Sequence, residues 1–251
     1  LFDGNIRQVR HSIDIVRIMR APLSYLTATT GKSDNQMTLT AMKMKQVQPP
    51  TLADALSRRH RTGRCAFIPF ITAGDPSLAA TGRFAKVLAA AGSDIIELGV
   101  PFSDPMADGP TIQAADARAL LSDTSLVEVL NLAAKLRRQG LGTPLILFSY
   151  LNPILNLGYR AFARRCAAAG INGVLTVDLP AEESGPLFKE LVRSKIEPVL
   201  LAAPTTSDER LKIIGRLSGS IVYYVSQEGV TGARSRLADG LSARLGRVAK
   251  L

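Results

Sequence analysis

The chain has 251 residues, 46% of them hydrophobic and 21% charged, which suffices for one domain with a sizeable core; no apolar run approaches the roughly 18 residues of a membrane span. The formal charge of +10 is spread thinly, with seven Lys/Arg against three Asp/Glu in residues 1–50 and 24 against 18 in the remainder. No basic stripe is interleaved with aromatics, so a nucleic-acid-binding module is excluded, and Arg58, Arg59, His60, Arg61 and Arg64 read as a solvated helix end.

In chain order, short apolar runs at 65–71, 94–98, 144–149, 173–177, 196–201 and 220–225 predict strands. Amphipathic stretches at 77–91, 126–138, 159–169, 183–194 and 207–217 predict the helices between them, with N-cap signals at Ser77, Thr124 and Ser207, and residues 237–250 read as a further helical stretch. Strand followed by helix, repeated, is the pattern of βα units around a parallel sheet. Cys65 at a strand start and Cys166 in a helical pattern read as reduced core thiols. With only His11 and His60 in the chain, both outside the motifs, metal and Ser-His-Asp chemistries lack ligands and base.

Polar residues in such folds gather where strands end, and Glu97, Asp108, Tyr150 and Asp178 all fall there. In Ile95-Ile96-Glu97-Leu98 an apolar strand delivers a carboxyl, and the Gly/Pro-rich loop that follows carries Asp104 and Asp108. An unpaired charge in a buried strand costs several kcal/mol, roughly, so Glu97 reads as a functional acid. On the residues alone, a salt-bridged strand-end Glu97 and an Asx-turn Asp108 stay open as structural alternatives.

Six motifs narrow the reading: FIPFITAGDP (67–76), IELGVPFSDPMADGPTIQ (96–113), YLNPIL (150–155), GVLTVDLPAEES (173–184), APTTSDER (203–210) and YYVSQEGVTGAR (223–234). In this order and spacing, from residue 65 to about 250, they resemble the tryptophan synthase alpha subunit family. The resemblance implies a TIM (β/α)8 barrel, here incomplete with about six of eight strands, since the two further βα units with their glycine-rich phosphate loops have no counterpart. It also makes TLADALSRRHRTGR (51–64) the short helix before the first strand. Residues 1–48 match nothing in the family and are set apart as an N-terminal extension, disordered or non-native, leaving 49–251 as a partial barrel domain.

The chemistry that the resemblance implies is cleavage of indole-3-glycerol phosphate into indole and glyceraldehyde 3-phosphate, a retro-aldol step in tryptophan biosynthesis. Glu97 matches the acid and base that shuttles protons, with partial burial raising its pKa toward the working pH, and Asp108 matches the carboxylate that holds the indole nitrogen. Phe70, Phe148, Tyr150, Val177 and Tyr223 match the indole pocket, and Thr231 and Gly232 the loop that closes over it; for Phe148 and Val177 ordinary barrel core is an equal reading. Of the phosphate contacts only Gly232 remains, and Gln227 stands where the family more often has arginine. No metal or organic cofactor is implied for this chain. The implied partner is the tryptophan synthase beta subunit in an α2β2 complex, docking on 101–108 and 226–234 and holding the PLP itself. The alternative is a catalytically inactive fragment that only binds or modulates that subunit. The implied location is cytoplasmic, or a plastid if the Arg-rich N-terminal segment is a transit peptide.

Overall fold

A computed structural model describes residues 49–225, together with the strand Ile15–Met19 and Gly246. Seven strands form one sheet: β1 (Ile15–Met19), β2 (Phe70–Thr72), β3 (Ile96–Gly99), β4 (Leu145–Ser149), β5 (Gly173–Thr176), β6 (Glu197–Ala202) and β7 (Ile221–Val225). Strands β2 to β7 are parallel and lie in the sheet in chain order. With their helices they make a half-barrel of the βα type anticipated above. β1 comes from the segment set apart as an extension; it pairs antiparallel with β7, from Ile15 opposite Val225 to Met19 opposite Ile221.

The helices are α1 (Leu52–Arg61), α2 (Leu78–Ala90), α3 (Pro110–Leu120), α4 (Leu126–Arg138), α5 (Leu151–Leu157), α6 (Tyr159–Ala169), α7 (Gly185–Arg193) and α8 (Asp208–Leu217). Two of them, α3 and α5, lie outside the helical stretches expected from sequence. The N-caps of α2 and α8 are Ser77 and Ser207, whose side chains accept from the backbone N–H of Ala80 and Arg210. The cap of α4 is Ser125 and not Thr124. Thr124 is buried with its side chain against Gly74, so it packs on the β2–α2 loop and leaves the helix end to its neighbour.

β2 begins later than the expected residue 65. The carbonyls of Phe67 and Pro69 accept from the N–H groups of Asp94 and Glu97 (both 2.8 Å), but Pro69 has no N–H to donate, so the ladder starts at Phe70. Cys65, on this approach segment, is exposed, which corrects its reading as a core thiol; Cys166 is buried in α6 as expected.

The sheet separates two apolar clusters. The outer one packs Leu98, Leu147, Val174 and Leu200 of the strands against Leu130, Phe162 and Leu187 of the helices. The inner one gathers Phe148, Leu175, Val199 and Tyr223 on the concave face. β4 is buried on both faces, which is why it reads as an unbroken apolar run. The lower end of the inner cluster is plugged by α1, whose Leu52 and Leu56 are buried and stabilise it by about 1.5–3 kcal/mol each. Gly173 makes this plug possible, since a Cβ there would lie 2.7 Å from Leu52 Cδ1. Among the described residues no helix is long and apolar enough to cross a membrane.

Candidate active site

Parallel pairing puts Glu97 level with Phe70 on one side and Ile146 on the other, so all three share the concave face. Glu97 is 1% exposed, deeper than the partial burial expected of it. Two residues on, Gly99 is also on this face, and the Phe70 ring occupies the space where a Cβ at 99 would stand, 2.4 Å from its nearest atom. A glycine here lets the ring lie across the floor above Glu97. Phe70 meets Phe148 edge-on, with centroids 5.3 Å apart, and Phe148 meets Tyr223 at 6.1 Å, so three of the five aromatic or apolar pocket residues form one wall.

The loop after β3 turns back at Pro105, whose carbonyl accepts from Asp108 N–H at 3.0 Å, and Gly109 then caps α3 with Pro110 in its first turn. Gln113 of that turn donates its side-chain amide to the Asp108 carbonyl at 2.8 Å. The turn carries Asp108 inward, where it is 4% exposed, and leaves Asp104 exposed beside Ser103. Of the two loop carboxylates, only Asp108 enters the site.

Tyr150 holds that carboxylate. Its hydroxyl donates to Asp108 Oδ2 at 2.7 Å and accepts from Ala107 N–H at 3.1 Å, and Phe102 stacks on its ring with centroids 4.9 Å apart. Expected only as a lining side chain, Tyr150 is thus bound to the acid it lines. Burial pushes the Asp108 carboxyl above its usual range, and the Tyr150 bond pulls it partly back. The same burial, with the bond to Asp108 added, raises the Tyr150 phenol.

Val177 is half-buried against the inner cluster, and Tyr223 is buried within it. Asp178 is exposed and accepts from Leu151 N–H at 2.7 Å, at the start of α5. Thr231, Gly232 and Gln227 lie outside the described residues. Among the described residues no group of three His, Cys, Asp or Glu side chains could hold a metal ion.

Sequence reading missed Asp116, which is 4% exposed in the middle of α3. Burial and the nearby Asp108 charge push its carboxyl up to about 7. The signal was present: Ile112, Ala115, Asp116 and Ala119 follow the i, i+3, i+4, i+7 spacing of a buried stripe, with a carboxylate in the third place.

Residues 56–251 match the profile of the family described as tryptophan synthase alpha chain. A tryptophan synthase alpha chain from Nitrosococcus oceani is 50% identical over 186 residues, 74% of this chain and 69% of that protein. Among solved structures, Mycobacterium tuberculosis tryptophan synthase superposes with a TM-score of 0.73 at 33% identity, covering 81% of this chain and 78% of that one. The tryptophan synthase α2β2 complex from Pyrococcus furiosus gives 0.58 at 41% identity, covering 61% and 64%. The aligned stretches therefore span about two thirds to three quarters of these relatives' own lengths. Six parallel strands with Glu97 inside the half-barrel, the ADG loop bearing Asp108, and these matches agree: the chain belongs to the tryptophan synthase alpha chain family.

Proposed function

We propose that the chain is the lyase subunit of tryptophan biosynthesis, cleaving indole-3-glycerol phosphate by general acid and base catalysis with no cofactor of its own. The observation that carries this reading is the pairing of Glu97, buried on the concave face, with Asp108, buried and held by the Tyr150 hydroxyl. Breaking the carbon–carbon bond needs a proton removed from the glyceryl hydroxyl and one delivered to indole C3. Glu97 is the group suited to both transfers. Asp108 in its ionised form accepts the indole N–H and stabilises the positive charge that develops on the ring. The Phe70, Phe148 and Tyr223 wall supplies an apolar surface of the kind a planar indole needs.

The partner proposed is a tryptophan synthase beta subunit, as in the Pyrococcus furiosus complex. The surface proposed to meet it is the loop after β3, which borders a cleft of about 410 Å³ between Phe102 and Ser103 on one side and Asn152 and Asn156 of α5 on the other. We place this assembly in the cytoplasm.

Indole release from indole-3-glycerol phosphate by the full chain, with and without a beta subunit, tests the reading. Glu97→Gln and Asp108→Asn are each expected to lower kcat about 10²–10⁴-fold with the fold unchanged by circular dichroism. A folded chain that binds the beta subunit yet releases no indole would replace this reading with that of a binding or modulating subunit.

A further inference from the structure

The helices α2 and α4 are neighbours on the outer side of the sheet, and each has 13 residues, or roughly 20 Å of helix. Between them runs an open groove of about 510 Å³. Its floor is apolar: Leu132 and Leu136, one turn apart on α4, are buried, and Leu78 joins them from the first turn of α2. Gly82, one turn after Leu78, keeps that floor low, since a Cβ there would lie 3.3 Å from Leu132 Cδ1. The rim is cationic, with Arg83 and Lys86 on α2 and Lys135 and Arg138 on α4, all four exposed. The acid of the lining, Glu128, sits in the first turn of α4, away from the cations of the last turn, and accepts from the Ser125 hydroxyl. Elsewhere arginines are engaged: Arg59, Arg118, Arg193 and Arg210 pair with carboxylates, and Arg137 with main-chain carbonyls. Among the described residues none of the four rim cations has an ion pair or a side-chain hydrogen bond.

We propose that the α2–α4 groove docks an acidic amphipathic helix of a partner protein, with the partner's apolar stripe on Leu78, Leu132 and Leu136 and its carboxylates on Arg83, Lys86, Lys135 and Arg138. A helix of about three to four turns fits along elements of this length, and one that repeats apolar residues at i, i+3, i+4 and i+7 turns a single stripe to the floor. Burial of that stripe supplies the affinity, and the rim charges supply the choice of partner and the rate of encounter. The chain's net charge of +10 disfavours a second copy as the occupant. The lining holds no aromatic side chain on which a nucleic-acid base could stack. Phe84 and Val87, next in the chain to Arg83 and Lys86, are 46% and 64% exposed and add apolar area to the α2 side. Because the groove is on the outer side of the sheet and Glu97 on the concave side, an occupant leaves the substrate's position clear. The loop after β3 is not part of the lining, so the surface proposed for the beta subunit also stays free.

The probe is a fluorescein-labelled synthetic helix with leucine at i, i+3, i+4 and i+7 and glutamate elsewhere, titrated with the full chain and followed by fluorescence anisotropy. It is expected to bind about tenfold tighter than a scrambled peptide of the same composition, and a version with lysine in place of glutamate should not bind. Lys86→Glu combined with Lys135→Glu is expected to weaken binding about tenfold or more. The control is Arg160→Glu combined with Arg164→Glu, at exposed positions of α6, which changes the net charge equally and should alter affinity less than about twofold. Hydrogen exchange of the unmutated chain with the peptide bound should slow at α2 and α4, a readout that requires no variant to fold. Equal binding of the scrambled peptide, equal losses in the two double variants, or protection that falls elsewhere overturns the proposal. A single-stranded oligonucleotide that displaces the peptide at equal concentration replaces it with a nucleic-acid site, and a dimer of the chain that Lys86→Glu with Lys135→Glu dissolves replaces it with a contact between copies. None of these readouts needs turnover, so the lyase reading and this one fail separately.

Discussion

The two ends of the half-barrel treat buried polar groups in opposite ways. At the end where strands begin, three charged side chains, Arg137, Asp94 and Glu197, are closed within the fold. Arg137 donates to the carbonyls of Leu141 (2.7 Å), Thr143 (2.6 Å) and Gly170 (3.0 Å) and to Asn172 Oδ1 (2.9 Å), and burial lowers its pKa to about 10. Asp94 accepts from Arg59 at 2.6 Å and Phe67 N–H at 2.8 Å, and Glu197 accepts from Ser220 N–H at 2.7 Å. At the end where strands finish, three carboxyls, Glu97, Asp108 and Asp116, are buried, and the Tyr150 phenol donates to one of them, Asp108. The ion pairs on that rim, Asp75 with Arg118 and Glu182 with Arg210, have Arg side chains about half exposed, where such pairs contribute little. One end spends its polar groups on holding the strands in place, and the other keeps carboxyls ready for a visitor.

The contrast is broken most strongly at Arg137. Arg137→Met takes the guanidinium donor from four carbonyl-type acceptors, of which Asn172 Oδ1 keeps the Leu145 N–H, and should cost about 3–5 kcal/mol in urea unfolding, with indole release per folded molecule unchanged. A loss under about 1 kcal/mol would mean that water replaces the guanidinium and that this end is not the closed one. Tyr150→Phe sharpens the contrast from the other end. It removes one hydrogen bond, worth about 1 kcal/mol of stability, and it removes the influence that lowers the Asp108 pKa. Asp108 then stays protonated to higher pH, so the acid limb of kcat/KM should move upward in pH; a downward or absent shift would show that Tyr150 is only packing. The smallest effect is expected at the entry to α1, where Thr51 and Asp54 form a reciprocal cap at 3.1 and 3.2 Å. Thr51→Ala should lower stability by about 0.5–1 kcal/mol and leave the pH profile untouched.

The helices that pack on the sheet's outer face were legible where amphipathy is strong. α4 and α6 run over the residues the pattern indicated, because Leu126, Val129, Leu130 and Ala133, or Phe162, Ala163 and Cys166, mark one face unambiguously. α3 was not legible: TIQAADARAL is built from small side chains, and only Pro110 after Gly109 announced a helix start. α5 hid behind Pro153, which sits in its first turn, where a missing N–H costs nothing. For the site, the motifs supplied Glu97, Asp108 and the aromatic wall. They could not supply the bond between Tyr150 and Asp108, since residues 42 apart meet only through the paired strands. Asp116 escaped for a further reason: a lone Asp in a helix is ordinarily solvated, and its burial depends on how α3 lies against β2 and the loop.

The order of the strands in the sheet also has a consequence for how the chain folds. Among β2 to β7 the paired residues are 22 positions apart at Leu200 and Val222 and 49 apart at Glu97 and Ile146. Each strand can therefore dock on the one made just before it, at a modest loop-closure cost, as the chain leaves the ribosome. β1 is the exception, because Ile15 pairs with Val225, 210 positions away. Relative to the 49-residue span that is about two doublings of loop length, or ~1.2 kcal/mol of additional closure entropy. Among the described strands, the earliest in the chain is thus expected to be the last to pair, and until it does the side of β7 that it covers presents unfilled hydrogen-bonding groups to any strand that reaches it first.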